Sequence, residues 1–146
     1  MFKGRYWKEG RFWVIEVPAL DVITQGTTKT DALDMIVDAV ESLVNIKGFK
    51  AIAKEMGKRE FSITSSPITP LMALFFKRQR LKRGLTIEDM RQRLHTKSRN
   101  EYYQYEQGKS APGIEKILKI LKALEIEDSL SFDLGPDQEP AERKVA

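Results

Sequence analysis

Gly84-Leu85-Thr86-Ile87-Glu88-Asp89-Met90-Arg91-Gln92-Arg93-Leu94, then His95-Thr96-Lys97, then Ser98-Arg99-Asn100-Glu101-Tyr102-Tyr103-Gln104-Tyr105-Glu106-Gln107-Gly108-Lys109 spells two short helices joined by a tight turn. Thr86 is placed to cap the first of them, and Glu88 and Asp89 put negative charge at its positive end. Met90 and Leu94 recur four apart and point to one side, toward a core. Ser98 is placed to cap the second helix, with Glu101 three residues on completing a capping box. Tyr102 and Tyr105 are expected to face inward, which leaves Arg99, Asn100, Tyr103 and Gln104 facing outward. Gly108 ends the helix.

The flanks extend this into a five-helix unit. Leu71, Leu74, Phe75, Gln79 and Leu81 mark a preceding helix that carries Lys77, Arg78, Arg80, Lys82 and Arg83 and stops at Gly84. Pro112 and Gly113 open a following helix whose expected buried stripe is Ile114, Ile117, Leu118, Leu121 and Leu124, and Leu130 and Phe132 are expected to add a last short element. The Gly-Leu-Thr and Ser-Arg-Asn helix starts, followed by Tyr105-Glu106-Gln107-Gly108-Lys109-Ser110-Ala111-Pro112, resemble the Cro/repressor-like (Xre) helix-turn-helix family over about fifty residues. The Gly-Val pair usual in that family's turn is replaced by His95-Thr96-Lys97, one residue longer.

An outward face of Arg, Asn and Gln is the chemistry of base reading. Each base pair shows its own donor and acceptor pattern in the major groove, so Arg99 can chelate guanine, and Asn100 and Gln104 can pair with adenine. Tyr103 can touch a thymine methyl or cover the core edge. Ser98 and the helix start can hold a phosphate, while Lys97 and Lys109 can contact the backbone and set register. One such helix reads a half-site, so a homodimer or higher even oligomer is expected.

Charge is distributed accordingly. Residues 69–126 carry 13 Lys/Arg and 6 Asp/Glu, against 10 and 9 in residues 1–68 and 2 and 6 in residues 127–146. The excess of positive charge sits where phosphate contacts need it, although Lys and Arg also serve as an ordinary solvated helix surface. The 146 residues, 41% hydrophobic and 32% charged, allow two small globular domains. The absence of cysteine excludes disulfides and thiolate zinc sites. With no apolar h-region near Met1 and no apolar run of spanning length, a cytoplasmic protein is expected.

Ahead of the helices, Met1 to Trp7 and Phe12 to Val17 read as paired strands around a turn at Lys8-Glu9-Gly10-Arg11, and Val22 to Gly26 as a third strand. Thr28 or Thr30 is placed to cap a helix with Leu33, Ile36, Val37, Val40, Leu43 and Val44 on its apolar side and Asp34, Asp38 and Glu41 on the other. Phe49 to Met56 reads as a short second helix ended by Gly57, and Arg59 to Thr64 as a fourth strand. The prolines and hydroxyl residues from Ser65 to Pro70 read as a break between domains.

The aromatic hairpin, Trp13-Val14-Ile15-Glu16-Val17-Pro18-Ala19-Leu20, Thr24-Gln25-Gly26-Thr27-Thr28 and the acidic helix opening Thr30-Asp31-Ala32-Leu33 together resemble the N-terminal domain of HicB-type antitoxins. The resemblance covers residues 1–46 and, more loosely, 59–65. It implies a partial ribonuclease-H-like β-β-β-α-β domain at 1–65; with the linker read from composition at 66–70, the all-α helix-turn-helix domain at 71–132 and a tail at 133–146 whose acidic, proline-containing composition reads as disordered, the expected fold is α+β. It further implies capture of a small basic HicA-like, mRNA-cleaving toxin and repression of the chain's own operon through double-stranded DNA. Trp7, Trp13, Asp34, Asp38 and Glu41 are the residues nominated to meet the toxin, since an acidic helix face complements a basic partner and the hairpin aromatics exceed what one helix can bury.

No catalytic residue, metal site or cofactor is expected. A nuclease centre needs carboxylates converging from different elements, and Asp34, Asp38 and Glu41 share a single helix face. His95, the only histidine, has no partner for acid–base work. The alternative is a stand-alone Xre-type repressor whose N-terminal domain senses a ligand or dimerises.

Overall fold

The computed structural model describes residues 1–126, in an α+β arrangement with an N-terminal antiparallel sheet and a C-terminal helical part. The short element expected at Leu130 and Phe132 and the tail at 133–146 lie outside the described residues.

Strands β1 (Phe2–Glu9) and β2 (Phe12–Val17) form the expected hairpin, two residues longer in β1 than the sequence suggests. Glu9 pairs with Phe12, so the turn is Gly10-Arg11, with a positive φ at Gly10 that glycine adopts without strain. β3 (Val22–Gly26) pairs with β2 after a 3-10 turn at Pro18–Leu20. Helix α1 (Lys29–Val44) starts at Thr28, whose side chain accepts from the Asp31 N–H at 3.0 Å; Thr28 is therefore the cap, and Thr30 lies inside the helix. Ala32, Ile36 and Val40 of α1 are buried, while Leu43 at its end is exposed.

The segment after α1 departs from the expectation. Residues Phe49 to Met56 are not a helix: Ile52–Gly57 is strand β4, paired with β5 (Glu60–Thr64), which also pairs with β1. The sheet therefore has five strands in the order β3-β2-β1-β5-β4. The hairpin closes through Lys58 and Arg59, both at positive φ, the two-residue geometry that matches strand twist. Tertiary pairing along β5 overrides the helix-forming Ala, Lys, Glu and Met of this segment.

One sheet face carries Tyr6, Ile15, Val17, Val22, Phe61 and Ile63 into the core beneath α1. Burying each of these large side chains contributes roughly 1.5–3 kcal/mol. The opposite face presents Arg5, Trp7, Val14, Glu16 and, on β3, a largely exposed Ile23.

The helical part comprises α2 (Thr69–Lys82), α3 (Ile87–Leu94), α4 (Arg99–Glu106) and α5 (Ile114–Ala123). Its core is Leu71, Leu74, Phe76, Met90, Leu94, Tyr102, Ile120, Leu121 and Leu124. Two expected core positions of α5, Ile114 and Leu118, are exposed by 61% and 54%, and Leu81 of α2 is exposed as well. The buried stripe of α5 is rotated toward Ile117, Ile120, Leu121 and Leu124, because α5 is seated by its C-terminal half.

Helix α2 also touches the sheet domain. Gln79 Nε2 donates to the Ala19 carbonyl at 2.7 Å, and the Arg78 guanidinium donates to the carbonyls of Leu20 and Asp21 at 3.2 and 2.6 Å. The rings of Phe2 and Phe75 stand 5.5 Å apart. The two parts of the chain are thus packed through the 3-10 turn, with its carbonyls satisfied by α2 side chains.

Candidate nucleic-acid interface

The start of α3 is fixed by a full capping box. Thr86 Oγ1 accepts from the Asp89 N–H at 3.0 Å, and the Asp89 carboxylate accepts from the Thr86 N–H at 2.8 Å. These bonds from Thr86 hold the Asp89 carboxyl below its ordinary range. The box expected at the next helix does not form. Ser98 Oγ accepts from the Asn100 N–H at 3.1 Å, but Glu101 reaches outward to Lys116 Nζ of α5 at 3.3 Å instead of back to Ser98.

The His95-Thr96-Lys97 turn is opened by a left-handed residue. His95 ends α3 at φ 55, the backbone region glycine usually takes at this position. Thr96 is buried, its N–H donating to the Arg91 carbonyl at 3.2 Å and its own carbonyl accepting from Arg91 Nη1 at 3.1 Å. Thr96 Oγ1 donates to the Ser98 carbonyl at 3.3 Å. These bonds run in both directions across the turn and fix the entry of α4.

On α4 itself, Arg99, Asn100 and Tyr103 are exposed, together with Ser98 and Lys97 before it and Lys109 after it; Gln104 is half-buried. Tyr102 is buried as expected, while Tyr105 is only partly so. Arg99 Nε lies 3.8 Å from Glu88 Oε2 of α3, a carboxylate that already accepts from Arg91 at 2.7–3.0 Å. The Arg91 hydrogen bonds hold Glu88 below the ordinary carboxylate range. An exposed pair at that separation contributes at most about 1 kcal/mol, so Arg99 is free to leave it for a base edge.

Beneath this face sits a buried ion pair. Arg80 Nε of α2 donates to Glu106 Oε1 of α4 at 2.8 Å, and Arg80 Nη1 donates to the Leu85 carbonyl at 2.7 Å. One guanidinium thus holds α2, the approach to α3 and the end of α4 together. The Tyr102 hydroxyl, buried beside Glu106 with no hydrogen-bond partner among the described residues, is pushed far above the ordinary tyrosine range, first by burial and then by the Glu106 charge.

The residues nominated in the sheet domain do not form one patch. Trp7 lies half-buried on the sheet face away from α1, with the Arg5 guanidinium 5.5 Å from its ring. Trp13 points to the α1 side, 5.9 Å from Tyr6 and with Arg59 over its ring. Asp34 and Asp38 are exposed on α1, but Glu41 accepts from the Ala51 N–H at 2.9 Å and ties α1 to the approach of β4.

A basic groove went unnoticed in the sequence. It encloses about 820 Å³ between the α3–α4 turn and α5, and Arg93, Lys97, Lys116, Lys119 and Lys122 are among its lining residues. The three-residue spacing of Lys116, Lys119 and Lys122 was the signal available.

Residues 76–129 match the helix-turn-helix family. The chain therefore carries a Cro/repressor-like helix-turn-helix domain, with α3 and α4 as its helix pair. No curated protein matches the chain. No described helix is long and apolar enough to cross a membrane.

Proposed function

We propose that the chain is a sequence-specific DNA-binding regulator that also neutralises a small basic HicA-like toxin, and that it represses the operon encoding both. The observation that carries the DNA-binding half is the exposed start of α4, where Arg99, Asn100 and Tyr103 stand clear on a helix braced from below by Arg80 and Glu106. Preorganised base-reading side chains on a rigid element are what direct readout requires. The chain acts by binding, without catalysis, and as an even oligomer that spans two half-sites.

The toxin-binding half rests on the order of the N-terminal elements and on the resemblance of residues 1–46 to HicB-type antitoxins. A five-stranded sheet with Trp7, Val14 and Ile23 on the face away from α1 offers a surface for a folded partner. The reading as a stand-alone repressor is favoured by Glu41: its carboxylate is tied back to the Ala51 N–H and partly buried, so of the carboxylates nominated for a basic partner only Asp34 and Asp38 stand exposed.

Co-expression of the full chain with a tagged product of the adjacent short reading frame separates the two. Co-purification with restored growth establishes toxin capture. Specific, salt-sensitive binding to its own promoter without any such complex leaves the stand-alone repressor, whose N-terminal domain dimerises or binds another ligand.

A further inference from the structure

We propose that the groove between the α3–α4 turn and α5 is a second phosphate-binding surface, which grips the DNA backbone beside the base-reading end of α4. This rests on the DNA-binding reading above. The groove is concave and draws its cations from three places: Arg93 at the end of α3, Lys97 in the turn, and the α5 row of Lys116, Lys119 and Lys122. A lysine face that merely solvates α5 would need no contribution from the other two.

Two of these cations already have a carboxylate partner. Lys116 Nζ lies 3.3 Å from Glu101, and Arg93 Nη1 lies 3.7 Å from Glu125. Among the described residues, no carboxylate comes within ion-pair distance of Lys97, Lys119 or Lys122. Three positive charges thus converge on one groove with its own carboxylates occupied, the condition under which a polyanion gains most by entering.

Position selects the backbone of the same duplex as that polyanion. Lys97 immediately precedes the Ser98 cap of α4, and Glu101 in the first turn of α4 also lines the groove. The groove therefore opens at the end of α4 that enters the major groove, where a flanking strand passes. Leu94 and Ala123 line the groove as well, giving the lysine stems an apolar surface on which to lie. From Lys116 to Lys122 the helix rises about 9 Å, enough to follow consecutive phosphates. Such contacts add affinity and fix register without reading sequence.

The test uses the full chain and two probes: a duplex selected by the chain from a randomised pool, and a mixed-sequence duplex of equal length. Binding to each is measured between about 50 and 200 mM salt. For the double variant Lys119→Gln/Lys122→Gln, the slope of log affinity against log salt is expected to fall by about 0.9 per lysine on both duplexes, while the preference for the selected duplex is kept. The charge reversal Lys119→Glu/Lys122→Glu is expected to weaken binding further, and circular dichroism checks that both variants remain folded. An unchanged slope in both variants, with the wild type binding normally, overturns the groove but leaves the DNA-binding reading standing. A wild-type chain that binds neither duplex overturns both.

Discussion

Arg80 and Glu106 meet at 2.8 Å with side chains only 11% and 2% exposed, and this pair links α2, the helix that touches the sheet domain, to α4, the second helix of the helix-turn-helix pair. Two charges are rarely buried this far unless both are hydrogen-bonded. Arg80 meets that condition by also donating to Leu85, and Glu106 by accepting at both oxygens.

Breaking the pair from one side leaves an uncompensated buried charge. Arg80→Met is expected to destabilise the helical part by about 3–5 kcal/mol, read as a lowered urea midpoint. Replacing both partners, Arg80→Met with Glu106→Leu, is expected to recover much of that loss, because no charge is then stranded. If the double variant is as unstable as the single, the pair is not what holds α2 to α4.

Gly26 ends β3 where it meets α1, and a Cβ there would lie 2.4 Å from the Ala32 nitrogen and 2.7 Å from its Cα. Backbone of a helix start cannot swing aside as a side chain can. Gly26→Ala is therefore expected to cost about 1–3 kcal/mol through forced displacement of α1 from the sheet. Thermal melting monitored by tryptophan fluorescence checks this, since Trp13 pairs with Gly26 across the strands. A wild-type melting curve would show that α1 can retreat without loss.

The same residues show what the sequence disclosed. Gly26 and Thr28 stand together in Thr24-Gln25-Gly26-Thr27-Thr28, where a strand must end and a helix must be capped, so β3 and α1 were readable. The helix pair was readable because Thr86, Met90, Leu94 and Ser98 obey local rules. β4 was not, because Ala51 to Met56 has helix-forming composition and its turn uses Lys58-Arg59, not Asn-Gly. At the interface, the outward side of α4 could be read from spacing. The reach of Glu101 to Lys116 instead of Ser98, and the assembly of the basic groove, depend on where α5 packs, which no local pattern encodes.

The capping box of α3 carries a pH dependence of known sign. Asp89 has a carboxyl pKa lowered from its ordinary value of 3.8, chiefly by the Thr86 backbone hydrogen bond. A group lowered in the folded state contributes stability that is full above the unfolded value and disappears as pH falls through the folded one. Stability measured by urea is thus expected to decline as pH drops below about 4, with part of that decline absent in Asp89→Asn. Identical pH profiles for the variant and the wild type would assign the decline to other carboxylates, such as Glu88, whose carboxyl is also lowered.

Asn100 offers the sharpest test of how α4 meets DNA. Its N–H is held by Ser98, so the backbone at this point is fixed while the side chain remains exposed. An amide presented in this way can bond adenine N6 and N7 together, a pairing that discriminates by about 1–3 kcal/mol. Asn100→Ala is expected to relax preference at one base pair of the selected operator, by roughly five- to 150-fold, and to leave the salt slope unchanged. Competition with duplexes carrying single base-pair changes measures both. A uniform loss on every duplex would place Asn100 on the backbone. No loss at all would mean that the path of the His95-Thr96-Lys97 turn has moved reading to Arg99, Tyr103 or Gln104.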